Sequence, residues 1–250
     1  MPLLPVSFSA SDRPPRLAFR RAIASGSTYR PLLRMRHLQA VIFDMDGVIV
    51  DSEPRHERAF LAVVREIGYA DKLDLCFADY IGRSDRDLWM AFVARHKPPY
   101  SLPDLLARKQ QRTIEILRRE QPVFEGVPSL VEKLAARYAL ALASGSDRAV
   151  VEAVLELQGL GRFFSAVVSG SEIRHGKPAP DIFLSTAKLL KVPPQCCCVI
   201  EDSKPGIAAG LAAGMAVIAI ANTHPAGELS HATHVVQTYQ GIEHLLLHSR

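Results

Sequence analysis

Two carboxylates open the chemistry of this chain. In VIFDMDGVIVDSEP, residues 41–54, Asp44 and Asp46 leave an apolar run two positions apart, with Gly47 directly behind them. Period-two spacing aims both side chains to one side for as long as the backbone stays extended. Two like charges held together are costly without a cation or a shared proton. A solvated turn accounts for Asp46-Gly47, but not for Asp44 at the end of Val-Ile-Phe. A second pair of acids, Glu201 and Asp202, leaves another apolar run in VIEDSKPGI, residues 199–207. Hard oxygen donors gathered in this way suit Mg2+, which takes one or two carboxylates together with waters and substrate phosphate. The alternative for Asp202 is an N-cap on the helix that follows.

Two further clusters offer groups for an anion. SGSD, residues 144–147, places a hydroxyl and a glycine at the mouth of an apolar run. Ser144 and the Gly145 backbone can cradle a phosphate there, although Ser146 or Asp147 could equally cap the next helix. In GKPAPD, residues 176–181, two prolines stiffen the segment and hold Lys177 on a rigid loop. Asp181 would then cap the helix beginning near Ile182. A fixed ammonium beside paired carboxylates offsets the repulsion between those acids and a phosphate; by itself GKPAPD also reads as a surface lysine in a proline-rich turn.

Positioning these groups requires a sheet. Apolar runs recur at 40–43, 139–143, 166–168, 198–200 and 216–220, a pattern suited to parallel strands buried on both faces. Between them lie stretches of helical period at 127–138, 148–157, 181–190 and 206–213. The alternation predicts βαβ units in an α/β, doubly wound parallel sheet. The four clusters follow four of its strands, where such folds bind ligands. One connection is far longer than a simple crossover needs, with about 95 residues between the first and second runs. It holds helical patterns at 54–67, 84–95 and 101–119, the first with Phe60, Val63, Val64 and Ile67 on one face. This predicts a small helical cap, residues 54–124, inserted into a core of 39–53 and 125–250, with hinges at 51–54 and 121–126.

Composition narrows the setting. The chain has 250 residues, 48% of them hydrophobic and 22% charged, enough for a sizeable core without disulfides. Three of the four cysteines are adjacent (196–198), which suits small buried residues of a strand and not a disulfide framework or metal knuckle. The net charge of +4 is uneven: residues 1–40 carry seven Arg and one acid, leaving the other 210 at −2. The body therefore has no basic stripe for nucleic acid, and no apolar run is long enough for a membrane span. The basic stretch, 1–38, reads as a disordered arm, a targeting segment or an over-extended start ahead of Met35. A cytoplasmic monomer with a small-molecule substrate is the expectation.

Taken in order, DMDG, the serine after the second run, the lysine of GKPAPD and the acids of VIEDS resemble the haloacid dehalogenase superfamily, over about residues 40–240. VIFDMDGVIVDSEP resembles its subgroup of sugar-phosphate phosphatases and β-phosphoglucomutase. The resemblance implies a Rossmann-like core and a helical cap. It makes Asp44 the nucleophile that forms an aspartyl phosphate and Asp46 the general acid and base. Mg2+ would be held by Asp44, the Asp46 backbone carbonyl and Asp202, with Glu201 direct or behind them. Ser144, Gly145 and Lys177 would bind the transferring phosphate. The acid at position 46 separates this chain from the family's dehalogenases and phosphonatases, which lack it.

Hydrolysis or phosphate shuttling is decided in the cap. The resemblance to the mutase carries His56 and Lys109 over as substrate residues. In the loop GRSDR, 82–86, Asp85 stands where the mutase has a phosphate-gripping arginine, leaving Arg83 or Arg86 for that task, and Gln110 replaces an Asn. A phosphatase is therefore expected first, the mutase second, and a non-catalytic scaffold last because Asp44, Asp46 and Lys177 are all present. Trp89, with Leu88 and Phe92, reads as cap core. The histidines at 224, 231, 234, 244 and 248 show no useful ligand spacing and read as solvated.

Overall fold

A computed structural model describes residues 37–80 and 84–248. Of the basic stretch expected at 1–38, residues 1–36 lie outside the described residues, as does Arg83, expected to contact substrate. Six strands form one parallel sheet: β1 (Ala40–Phe43), β2 (Ala139–Ser144), β3 (Phe164–Ser169), β4 (Cys197–Glu201), β5 (Ala216–Ile220) and β6 (His234–Val236). Their order across the sheet is 3-2-1-4-5-6, so β1 lies centrally between β2 and β4. Every pairing is parallel. β1, β4 and β5 are buried at every residue, which is why their apolar residues run consecutively rather than alternating.

Each face of the sheet has its own core. Val41, Phe43, Leu142, Cys198 and Ile200 pack on one side, and Ala40, Ile42, Ala141, Cys197 and Val199 on the other. Adjacent cysteines of β4 thus serve opposite cores, and among the described residues all cysteines are free. The covering helices of the body are α4 (Val127–Ala135), α5 (Arg148–Glu156), α6 (Asp181–Leu190), α7 (Lys204–Ala212) and the short α8 (Tyr239–Glu243). β6 was not expected. It spans three half-buried residues at the sheet edge, including His234, whose burial lowers its pKa; that histidine is not solvated.

The long connection after β1 carries three helices, α1 (Glu53–Glu66), α2 (Asp85–His96) and α3 (Leu102–Glu120). Ser84 closes a capping box with Asp87, and the Ser101 side chain accepts from the Asp104 amide. The three helices bury a cluster of their own around Phe60, Trp89, Phe92 and Leu105. They also touch the body: Leu117 of α3 joins the first core, and Arg118 pairs with Glu156 of α5 at 2.8 Å. The two connecting segments run antiparallel, bridged at Val50 and Val123. Asp51 donates its amide to Pro122 at 2.9 Å, and Phe124 to Ile49 at 3.1 Å.

Candidate active site

The carboxyl ends of β1, β2 and β4 bring the predicted residues together. Asp44 follows β1 and donates its backbone amide to Ile200 of β4 at 2.9 Å. Its side chain is buried, and Oδ1 accepts from Lys177 Nζ at 2.6 Å. The same ammonium donates to Glu201 Oε1, also at 2.6 Å. Charge-assisted contacts of this length are among the stronger hydrogen bonds a site can make. Burial works against Lys177 keeping its proton, yet the two carboxylates outweigh it and hold its pKa above the ordinary lysine value.

Glu201 is fully buried, and its Oε2 accepts from the amides of Asp202 and Ser203 and from the Ser203 hydroxyl, at 2.9, 3.0 and 2.9 Å. Three donors on one oxygen and an ammonium on the other fix it as the partner of Lys177. Gly206 is required for this placement, because a Cβ there would fall 1.6 Å from Glu201 Oε1. Ser203, and not Asp202, caps α7, accepting from the Gly206 amide. Asp202 is therefore left facing Asp44, with its carboxylate taking a hydrogen bond from the Thr223 hydroxyl.

Ligand oxygens of Asp44, Glu201 and Asp202 lie within 4.8 Å of one another. One ammonium among three buried acids leaves an excess of negative charge. Burial and the neighbouring acids push Asp44 well above the usual carboxylate range, against the pull of Lys177. Burial, then Glu201, raises Asp202 to about 7. Acids that favour protons in this way are placed to exchange them for a hard divalent cation, and the all-oxygen donor set fits one. The close approach of Asp202 to the first loop depends on Gly47, at φ +76°, where a Cβ would lie 1.9 Å from Asp202 Oδ2.

Asp46 stands apart from this cluster, on the side facing the inserted helices. Ser52 donates to its Oδ1 at 2.5 Å, and Ser146 and Ser144 donate to Oδ2 at 2.9 and 3.2 Å. His56 Nε2 lies 3.7 Å from Oδ1, too long for a hydrogen bond. Burial alone would raise Asp46; the His56 imidazole and the Ser52 and Ser146 hydroxyls outweigh it and hold its carboxyl well below the usual range.

Several capping expectations fail here. Ser146 spends its hydroxyl on Asp46, and Asp147, at the N-cap of α5, makes no side-chain cap hydrogen bond. Asp181 is the first residue of α6, where Pro180 is the N-cap, and its carboxylate pairs with His175 at 3.0 Å. Gly145 is exposed in the β2 loop, and the buried Ser144 hydroxyl accepts from the Ser146 amide at 3.0 Å.

The cap residues also meet. Lys109 is completely buried; its ammonium lies 2.8 Å from His56 Nδ1 and forms an ion pair with Asp85. A lysine only donates, so Nδ1 accepts and the imidazole proton sits on Nε2, toward Asp46. Among the residues missed from sequence are Ser52, Thr223 and Asn222. Each is a small polar residue after an apolar run, a signal too common to single any of them out.

Comparison with known proteins shows the family of the chain. The chain matches the family model of the haloacid dehalogenase-like hydrolases over residues 38–214. The protein belongs to that family. It is 33% identical to fructose-1-phosphate phosphatase YqaB of Escherichia coli over 175 residues, 70% of this chain and 92% of the relative. Hexitol phosphatase B of the same species is 34% identical over 189 residues, covering 74% and 84% of the two chains. Among solved structures, a haloacid dehalogenase family hydrolase from Deinococcus radiodurans with bound phosphate and sodium superposes with a TM-score of 0.62. That match has 28% identity and covers 84% of this chain and 95% of that one.

Proposed function

We propose that this haloacid dehalogenase-like hydrolase is a Mg2+-dependent phosphatase of a small phosphorylated sugar or polyol. The observation that carries the reading is the buried set of Asp44, Lys177, Glu201 and Asp202 beside a separately hydrogen-bonded Asp46. Asp44, the Asp46 backbone carbonyl and Asp202 would hold the cation, with Glu201 clamping Lys177 behind them. When bound there, the cation would supply positive charge that lets an anionic nucleophile approach an anionic phosphoryl group.

This chain's own groups account for the remaining steps. Asp44 attacks phosphorus while the ester P–O bond breaks, forming an aspartyl phosphate. Asp46 gives its proton to the departing alkoxide, then takes one from the water that cleaves the intermediate and releases phosphate. For the first transfer Asp46 must arrive protonated. A phosphate that takes over the hydroxyls of Ser144 and Ser146 removes donors that favour its ionised form. Lys177, Ser144 and the backbone at Gly145 bear the charge that spreads over the phosphoryl oxygens.

The leaving group faces His56 and the Asp85–Lys109 pair. With its ammonium committed to Asp85 and His56, Lys109 has little left to grip a second phosphate, which favours hydrolysis of a monophosphate over the mutase reaction. The test is phosphate release from hexose phosphates, hexitol phosphates, nucleotides and p-nitrophenyl phosphate, with Mg2+ and with EDTA. Asp44→Asn serves as the dead control. Release from one or a few sugar or polyol esters, lost in EDTA, is the expected result. Conversion of β-glucose 1-phosphate to glucose 6-phosphate without net phosphate would select the mutase.

A further inference from the structure

The turn after Asp46 is held by a phenol from the far end of the chain. Val48, Ile49 and Val50 all direct their amides to Met45 O. The carbonyls of Gly47 and Val48 point the other way and need donors of their own. Asn222, two residues past β5, donates from Nδ2 to Gly47 O at 2.8 Å and to Tyr239 Oη at 2.8 Å. Tyr239, the first residue of α8, donates its hydroxyl to Val48 O at 2.8 Å. These contacts span 175 and 191 positions of sequence.

The ring of Tyr239 meets the second cap linker as well. Its centroid lies 6.0 Å from that of Phe124. A Cβ on Gly126 would come within 2.7 Å of the Tyr239 Cβ and Cδ2, so glycine at 126 lets the returning chain lie on the ring. Phe124 in turn bonds Ile49 of the outgoing chain. One side chain therefore touches the turn behind Asp46 and the return linker from the cap. The neighbour of Asn222, Thr223, bonds Asp202.

We propose that Tyr239 and Asn222 are positioning residues for Asp46. They lock the Gly47–Val48 turn to the base of both cap linkers, so that the Asp46 carboxyl meets the leaving oxygen in register with Asp44. This rests on the phosphatase reading above. Neither residue touches substrate; each acts through the turn. Displacing a proton donor by about 1 Å is enough to cost on the order of 100-fold in rate.

Tyr239→Phe keeps the ring and removes only the hydroxyl. The decisive readout is kcat/KM for the best sugar phosphate of the panel against p-nitrophenyl phosphate. A sugar alkoxide needs a proton as it leaves, whereas p-nitrophenolate departs as a stable anion. A fall of about tenfold or more on the sugar ester, with less than about threefold on the nitrophenyl ester, is expected for a misplaced general acid. Asn222→Ala and Gly126→Ala should repeat the pattern. Equal loss on both esters would mean a merely structural role and would overturn the proposal, as would no loss on either.

Hydrogen exchange separates the two levels of inference. In Tyr239→Phe, amides 47–51 and 122–126 should exchange faster, with those of α5 unchanged. If the wild-type protein hydrolyses no ester, the phosphatase reading fails by itself. Unchanged exchange at 47–51 sinks the brace whatever the activity.

Discussion

Replacing Gly206 by alanine tests whether the acid cluster is held as described. On helix propensity alone the change should stabilise, because glycine inside a helix costs about 0.5–1 kcal/mol relative to alanine. The structure predicts the opposite sign. The new Cβ would sit 1.6 Å from Glu201 Oε1 and 1.8 Å from its Cδ, so a fully buried carboxylate must retreat. Glu201 is held by Lys177, two amides and the Ser203 hydroxyl. Hydrogen bonds to a charged group contribute about 1.5–3 kcal/mol each, so losing two of the four costs about 3–6 kcal/mol. After the propensity gain, the net loss is about 2–5 kcal/mol. For a chain of this size that lowers Tm by about 4–20 °C, measured by urea and thermal unfolding. Gly227→Ala, with open space around its Cβ, is the near-neutral control. In a Glu201→Ala background the clash is gone, and Gly206→Ala should become neutral or stabilising. A Gly206→Ala protein as stable as wild type would refute the placement of Glu201 and the clamp it makes on Lys177.

Three further outcomes follow from the geometry. Asp202 carries a folded pKa of about 7 against an ordinary 3.8, so its burial destabilises the cation-free protein increasingly as pH rises through that window, fully above it. Mg2+ should therefore raise Tm more at pH 8 than at pH 5, and an equal shift at both would contradict the assigned ligand set. Arg118→Ala breaks a contact between cap and body, but both partners are more than half exposed; stability should change by no more than about 1 kcal/mol, screened by salt. Trp89→Ala empties the centre of the cap cluster and should cost about 3–5 kcal/mol in denaturant unfolding.

Local sequence was enough for the central strands and for the acids that the structure gathers at their carboxyl ends. The apolar runs at 40–43 and 216–220 coincide with β1 and β5, because a strand buried on both faces has no polar position to blur its limits. Asp44, Asp46, Glu201 and Asp202 were legible because acids ending such runs conflict with burial unless they have a task. β6 escaped notice because three half-buried edge residues carry no run of their own. The caps expected of Asp181, weighed for Ser146 and set as the alternative for Asp202 rested on position next to a helix start. Other partners took those side chains instead: Asp46 and Thr223 across the fold, and His175 within the same loop.

What only the folded chain decided is which group serves which. Glu201 and Asp202 are adjacent and chemically alike, yet backbone amides and Ser203 saturate one oxygen of Glu201 and Lys177 takes the other, leaving Asp202 turned toward Asp44. Tyr239 reaches a turn 191 positions earlier. Periodicity reports burial along one element, whereas a hydrogen bond across the sheet depends on crossover lengths and register that residue spacing does not encode. The sequence by itself picked out the acids and the lysine; which of them meet, and which partners each takes, came from the parallel order that sets β4 beside β1 and brings Tyr239 of α8 against Val48 and Phe124.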